Sequence, residues 1–144
     1  MPTLYTYDYA IIRLVPRVDR EEFVNVGVIV SCPACGFLEA RIALDEQRLL
    51  ALDATLDMAT VRDHLATILA MCAGGASAGP LGQLAQRERF HWLVAPRSTI
   101  IQTSPVHTGL CTHPGSVLAH LLDTMVQPVR PASPPVTAGL VGTA

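Results

Sequence analysis

FVNVGVIV, residues 23–30, is the stretch of sequence that decides the fold, because a valine fills every second position. An extended chain points alternate side chains to opposite faces, so the four valines should share one face. The stretch therefore predicts a β-strand with its valine face in the core. Asn25 and Gly27 on the opposite face allow a second interpretation, in which the strand holds a bulge or another backbone approaches closely.

Two further strands flank this one. Residues 5–15 are rich in aromatic and β-branched side chains and end at Pro16, as a first strand would. Residues 37–44 alternate again, with Glu39 and Arg41 facing outward and apolar side chains facing inward. Because the connections between the three strands are short, the strands should form an antiparallel meander.

The hydrophobic period changes to that of a helix after residue 45. A short helix is predicted over residues 46–52 and a longer one over residues 60–73. Thr60 and Asp63 resemble a capping pair for the second helix. The apolar stripe predicted to face the core is Val61, Leu65, Ile68, Leu69 and Cys72.

The second half of the chain predicts the rest of the domain. Residues 90–95 and 98–103 favour one or two more strands, and residues 114–126 favour a last helix. From residue 127 onward the chain has four prolines and no amphipathic period. The prediction is a single α+β domain over residues 1–126, followed by a disordered Pro-rich tail over residues 127–144. The domain is an antiparallel sheet of four or five strands, with the N-terminal three-strand meander, packed by two or three helices.

Composition limits the class of protein. The 144 residues are 50% hydrophobic, enough for one core. The formal net charge of −2 provides no general attraction for DNA or RNA, so a nucleic-acid partner is not expected. No basic and apolar leader pattern opens the sequence, and Gly or Pro interrupts the long uncharged stretches. We therefore expect a cytoplasmic protein with no membrane partner.

Polar side chains concentrate in residues 90–110, where one Arg, two His and five hydroxyl residues surround a short apolar strand. A guanidinium can hold a phosphate or carboxylate through two parallel hydrogen bonds. The candidate ligand-binding residues are Arg13, Arg17, Asn25, His91, Arg97, Ser98, His107 and Thr108. In this interpretation the arginines hold a small anionic ligand and a His supplies acid or base. In the structural interpretation, Arg97 instead pairs with Glu21, Glu22 or Asp8.

A hydrolase would need a nucleophile, a base and an orienting acid. Ser98 and Ser104 stand near His91 and His107 in the sequence, but the stretch between Glu88 and Asp123 holds no acidic residue. A G-x-S-x-G elbow is also absent from the sequence. No catalytic residue is therefore assigned.

Four cysteines define a separate alternative. Cys32-x-x-Cys35 has the spacing of half a zinc knuckle, and Cys111 with His113 could form the other half. The second half lacks a standard spacing, so the preferred interpretation is a tight turn with two ordinary thiols. We predict no metal and no cofactor, and reduced cysteines as in other cytosolic proteins.

Two blocks of sequence are similar to a known family. YDYAIIRLVPRVDREEFVNVGVIV and ERFHWLVAPRSTIIQTSPVHTGL resemble the bacterial domain-of-unknown-function family 3037, over residues 5–126. The positions that match the family include Tyr7, Asp8, Arg13, Glu22, Asn25, Gly27, Arg97, Ser98, His107 and Gly109. The resemblance implies a small cytosolic bacterial protein and assigns it no reaction. It also implies genes that neighbour those of HipA-like kinases, and hence a HipA-like kinase as a partner.

The expected function follows from what the polar cluster contains and lacks. It offers arginines but no complete set of nucleophile, base and orienting acid. We expect a non-catalytic binding or accessory module with a protein partner. The alternative is a protein or enzyme that takes a phosphate or nucleotide ligand through an Arg, His and Ser cluster.

Overall fold

A computed structural model describes residues 2–97 and 99–129. The strands are β1 (Tyr5–Leu14), β2 (Val24–Cys32), β3 (Phe37–Ile42), β4 (Ile101–Thr103) and β5 (His107–Cys111). The helices are α1 (Glu46–Leu52), α2 (Met58–Ala73), α3 (Gln86–Leu93) and α4 (Pro114–Leu121). Helix α4 continues directly into a π-helical turn, Leu122–Val126.

All five strands form one antiparallel sheet built around β1. β2 pairs with one side of β1, and β3 pairs with the far side of β2, which confirms the predicted meander. β4 and β5 both pair with the other side of β1, so they form two halves of one interrupted strand. The predicted single α+β domain is confirmed, with five strands.

Ser104 bridges the interruption between β4 and β5. Its N–H donates to the Ile11 carbonyl at 2.8 Å, and its Oγ accepts a hydrogen bond from the Ile11 N–H at 2.8 Å. The Oγ also donates to the carbonyl of Pro105 at 2.9 Å. The buried hydroxyl thus supplies the acceptor for the Ile11 N–H at the point where the strand pairing is interrupted.

A β-bulge in β2 divides its valines between two faces. Ile12 pairs with Gly27 and Arg13 pairs with Asn25, so Val26 is an extra residue without a partner on β1. The single valine face predicted from alternation is therefore wrong. The members of one core are Val24, Val26 and Ile29, and those of the other are Val28 and Val30.

Gly27 confirms both halves of the second interpretation of this strand. It stands beside the bulge, and a Cβ placed there would lie 2.7 Å from the carbonyl oxygen of Arg41 on β3. Only a residue without a side chain allows the two backbones to approach so closely.

The sheet is covered on both faces. Helices α1, α2 and α3 pack on one face, around a core that includes Ile12, Leu14, Val61 and Phe90. Helix α4 and the π-helical turn pack on the other, around Ile11, Val28, Leu118 and Val126. We call these the α2 face and the α4 face. The second layer explains why β2 is apolar on both sides.

The first two helices occupy the predicted positions, with three corrections. Helix α1 has the predicted bounds, and α2 begins two residues early, at Met58. The predicted capping pair is wrong, because the Asp57 carboxylate accepts the Ala59 and Thr60 N–H groups at 3.1 and 3.3 Å. Leu69 is 42% exposed, and Met71 is buried in the stripe instead.

The predicted strand over residues 90–95 is wrong. These residues belong mostly to α3, which begins with the helix formers of residues 86–89. Arg89 attaches α3 to the end of α2, because its Nη1 donates to the Met71 and Cys72 carbonyls at 2.8 and 2.7 Å. These carbonyls lie in the last turn of α2, where partners within the helix run out. The predicted strand over residues 98–103 is real but shorter, and the helix over residues 114–126 is confirmed.

Within residues 2–97 and 99–129, no helix has the length and apolarity that crossing a membrane requires.

The predicted tail begins at residue 127, and residues 130–144 lie outside the described part of the chain. Its disorder and the boundary at residue 126 stay predictions.

Candidate functional site

The predicted site residues do not meet in one pocket. Arg13 and Asn25 pair across two strands on the α4 face, whereas His91 lines a cleft on the α2 face and Thr108 bonds to Asp8, which lines the same cleft. Arg97 lies at the end of α3. The predicted clamp of three arginines is therefore wrong for the described residues. Ser98 lies outside them.

Arg13 occupies the centre of the first site. It points to the α4 face at the end of β1, where its Cζ lies 4.3 Å from the centroid of the Phe23 ring. The side chain is half-buried, and its Nε is shielded from solvent without a hydrogen-bond acceptor. None of the salt bridges among the described residues involves Arg13. The guanidinium is thus held by a ring and left open to a partner.

Asn25 is the direct neighbour of Arg13 on β2. Its Nδ2 donates to the Met125 carbonyl in the π-helical turn at 3.0 Å, which holds that turn against the sheet. Its Oδ1 is buried and accepts no hydrogen bond. On the other side of Arg13, Gln102 is the paired residue on β4. A row of amide, guanidinium and amide therefore crosses the sheet beside the π-helical turn.

His91 lines a second site, which we call the α3 cleft. The cavity measures about 400 Å³ and lies between the beginning of β1, the turn after β2 and helix α3. Its lining residues include Leu4, Thr6, Asp8, Ser31, Arg87 and His91. Thr108 Oγ1 donates to Asp8 Oδ1 at 2.6 Å. The cleft thus has a carboxylate on the sheet and two nitrogen-bearing side chains on the helix.

Arg97 has partners within the protein. Its Nη2 donates to the Trp92 carbonyl at 2.5 Å, and its Cζ lies 4.1 Å from the centroid of the Trp92 ring. The ion pair predicted with Glu21, Glu22 or Asp8 is not among the salt bridges of the described residues, and Arg97 instead contacts a backbone carbonyl and a ring. The Arg97 side chain closes the C-terminal end of α3, where carbonyls lack partners within the helix.

Arg17 and His107 lie outside both sites. Arg17 Nε is 3.6 Å from Asp53 Oδ2, and the Arg17 side chain is mostly exposed. Hydrogen bonds from Thr55 lower the pKa of Asp53, and Arg17 adds a smaller effect. His107 is exposed on β5, with its ring centroid 5.1 Å from that of Tyr9. Neither residue therefore joins Arg13.

Three cysteines influence one another although one is distant in sequence. Desolvation, and after it the neighbouring Cys32 thiol, raises the pKa of both Cys35 and Cys111. His113 is exposed at the beginning of α4. Within the part of the chain that the structure describes, no three His, Cys, Asp or Glu side chains are arranged to hold a metal ion.

Sequence reasoning missed the ring that holds Arg13. Phe23 precedes β2 and lies two residues before Asn25, so period-2 spacing places both on one face. That spacing could have identified Phe23. Gln102 could not have been identified, because its position beside Arg13 depends on the register of β4.

Comparison with known proteins gives one match. A family model described as Protein of unknown function (DUF3037) matches residues 9–126. No curated protein matches the chain, and no solved structure matches it either. The matched range runs from β1 to the π-helical turn and includes both candidate sites except for the first lining residues of the α3 cleft.

Proposed function

This chain belongs to the DUF3037 family, and we propose on that premise that it is a non-catalytic binding module of the bacterial cytoplasm. Its partner is a protein, and a HipA-like kinase is the first candidate. The choice of kinase rests on the family resemblance and the neighbouring genes that it implies. The mode of binding rests on the surface of the molecule.

The observation that carries the proposal is the open edge of the sheet along β5. Among the described strands, β5 pairs only with β1, so the backbone groups of its other side have no strand partner. Leu110 in this strand is 65% exposed, and the nearby Leu4 and Val106 are 61% and 43% exposed. An unpaired edge beside exposed apolar side chains suits an added strand from a partner.

The α3 cleft adds polar contacts next to this edge. Thr108, in β5, is bonded to Asp8, and Asp8 lines the cleft together with Arg87 and His91. A strand added along β5 would run past this group of charges. Main-chain hydrogen bonds would supply affinity, and the charged groups of the cleft would select the side chains of the partner.

The alternative function is a phosphate- or nucleotide-binding protein or an enzyme. It was predicted from an Arg, His and Ser cluster, and the described members of that cluster lie on different faces of the sheet. One observation still favours an anionic ligand, the open guanidinium of Arg13. The alternative is therefore retained as binding at Arg13 and not as catalysis.

The experiment that tests the module is a binding titration with a purified HipA-like kinase from the same organism. Leu110→Asp places a charge on the proposed edge, and Leu69→Asp changes an equally apolar but distant residue on α2 that is 42% exposed. We expect Leu110→Asp to weaken binding at least tenfold, because a charge at a buried interface centre is strongly unfavourable. Leu69→Asp should bind like the native protein.

Two results would count against the proposal. Absence of binding by the native protein would remove the kinase as partner. Equal binding by native protein and Leu110→Asp would remove β5 as the interface. Circular dichroism and thermal melting of both variants confirm that the comparison is made between folded proteins.

A further inference from the structure

Arg13 is a half-buried cation whose charge is not balanced by a described residue. Its guanidinium contacts the face of Phe23, and its Nε lies out of solvent without an acceptor. The neighbouring positions on β2 and β4 are Asn25 and Gln102, which are both neutral amides. Arginines that are partly removed from water are usually paired with a negative group. None of the described residues provides that group for Arg13.

The orientation of the guanidinium limits where that group can bind. Nε is buried and has no hydrogen-bond partner. The Nη atoms are not among the buried atoms without a partner, and they donate no hydrogen bond to a described residue. The open edge of the fork is thus its Nη side. Two parallel N–H groups match the two oxygens of a carboxylate or phosphate, which a single ammonium would not do.

The surroundings also suit an apolar group attached to the anion. Phe23, which contacts the guanidinium just before β2, and Met125, in the π-helical turn that Asn25 holds, are each 45% exposed. Asn25 connects that turn to β2, because its Nδ2 donates to the Met125 carbonyl. A bare inorganic ion would leave the exposed apolar area in water, whereas an organic anion would cover part of it.

We propose that Arg13, Phe23 and Met125 form a binding site for an organic oxyanion, in which a carboxylate or phosphate accepts from the Nη atoms of Arg13 and an apolar body covers Phe23 and Met125. The inference does not depend on the partner protein, since this site lies on the α4 face and the α3 cleft lies on the other. In this proposal one arginine, Arg13, binds the anion, and the other two arginines of the predicted clamp do not take part.

The test uses the full chain and three probes at equal ionic strength: inorganic phosphate, phenyl phosphate and benzoate. Affinity is measured by calorimetry and by the thermal shift that a ligand of the native state must produce. The variants are Arg13→Met, which keeps the length of the side chain without its charge, and Arg13→Lys, which keeps the charge without the fork. Arg17→Met is the matched control, because Arg17 is an exposed arginine on the connection that follows β1.

We expect phenyl phosphate or benzoate to bind at least tenfold more tightly than inorganic phosphate. Arg13→Met should lose this binding, Arg13→Lys should weaken it, and Arg17→Met should leave it unchanged. Preference for phenyl phosphate would identify a phosphate ligand, and preference for benzoate a carboxylate. If no probe binds the native protein, or if Arg13→Met binds the probes as the native protein does, the proposal is wrong. If Arg13→Met does not fold, the Arg13→Lys titration decides between these results.

Discussion

Arg13 and Arg97 are two half-buried arginines that share a ring contact but differ in their hydrogen bonds. Each guanidinium lies over an aromatic ring, Phe23 at 4.3 Å and Trp92 at 4.1 Å. Arg97 also donates to the Trp92 carbonyl, whereas Arg13 has no acceptor among the described residues. A stacked arginine is therefore not by itself a sign of a ligand site. What distinguishes the two arginines is whether the protein also supplies an oxygen that accepts a hydrogen bond from the guanidinium.

The comparison predicts a large difference in stability between two equivalent substitutions. Arg97→Met removes a charged hydrogen bond and a cation–π contact, so the free energy of unfolding should fall by about 2 kcal/mol. Arg13→Met removes the ring contact but also an unpaired charge, so the two effects should nearly cancel. Urea unfolding of both variants measures the difference, and a larger loss for Arg13→Met would reverse the assignment.

Measuring stability over a range of pH distinguishes the effect of the buried Cys72 thiol from that of the arginines. Burial raises the pKa of Cys72 to about 12, from its ordinary value of 9.0. Because the thiol binds its proton more tightly in the folded protein, stability should be retained below pH 9 and lost as pH rises towards 12. Within that window the loss should approach about 1 kcal/mol per pH unit.

Cys72→Ala should flatten this alkaline decline, whereas Arg13→Met should keep it, because the Cys72 thiol is still present. The measurement is the urea midpoint of each protein at pH 8, 9 and 10. An equally steep decline in Cys72→Ala would show that other groups cause it.

A smaller effect on stability is expected when Arg13 is given a hydrogen-bond acceptor within the protein. Gln102→Glu places a carboxylate on the paired residue of β4. An opposite-charge pair across two strands should raise the free energy of unfolding by about 0.5 kcal/mol and should compete with any added anion. The gain should disappear in the double variant with Arg13→Met. A Gln102→Glu protein that still binds the organic anion at full affinity would contradict the proposed geometry.

The sheet could be predicted from the sequence because period-2 alternation is a local property. The strand character of residues 24–32, the meander and the bounds of α1 all follow from it or from the change to helical spacing. The division of the β2 valines between two cores could not be predicted. It depends on a bulge opposite Ile12 and Arg13, and a bulge is defined by the pairing of two strands.

Residues 86–95 show how local preference can mislead. FHWLVA is apolar and aromatic enough for a strand, yet Phe90 to Leu93 lie in α3. The polar residues before them begin the helix, and Arg89 attaches it to the last carbonyls of α2. That attachment depends on tertiary structure, so no window of sequence contains it.

The structure brings some of the candidate residues together and separates others. Arg13 and Asn25 are neighbours, whereas His91 lines the α3 cleft and Thr108 bonds to Asp8, which lines the same cleft. The two pairs are separated because β1 alternates, with Asp8 facing one side of the sheet and Arg13 the other. The sequence predicted which groups need partners, and the topology decides which of them meet.

The measurement that tests this account most directly is the thermal shift of three proteins during titration with phenyl phosphate and with benzoate. The proteins are the native protein, Arg13→Met and Arg97→Met. The account predicts a shift with at least one probe in the native protein, an equal shift in Arg97→Met and no shift in Arg13→Met. A shift that is lost in Arg97→Met and retained in Arg13→Met would contradict it, as would no shift in the native protein.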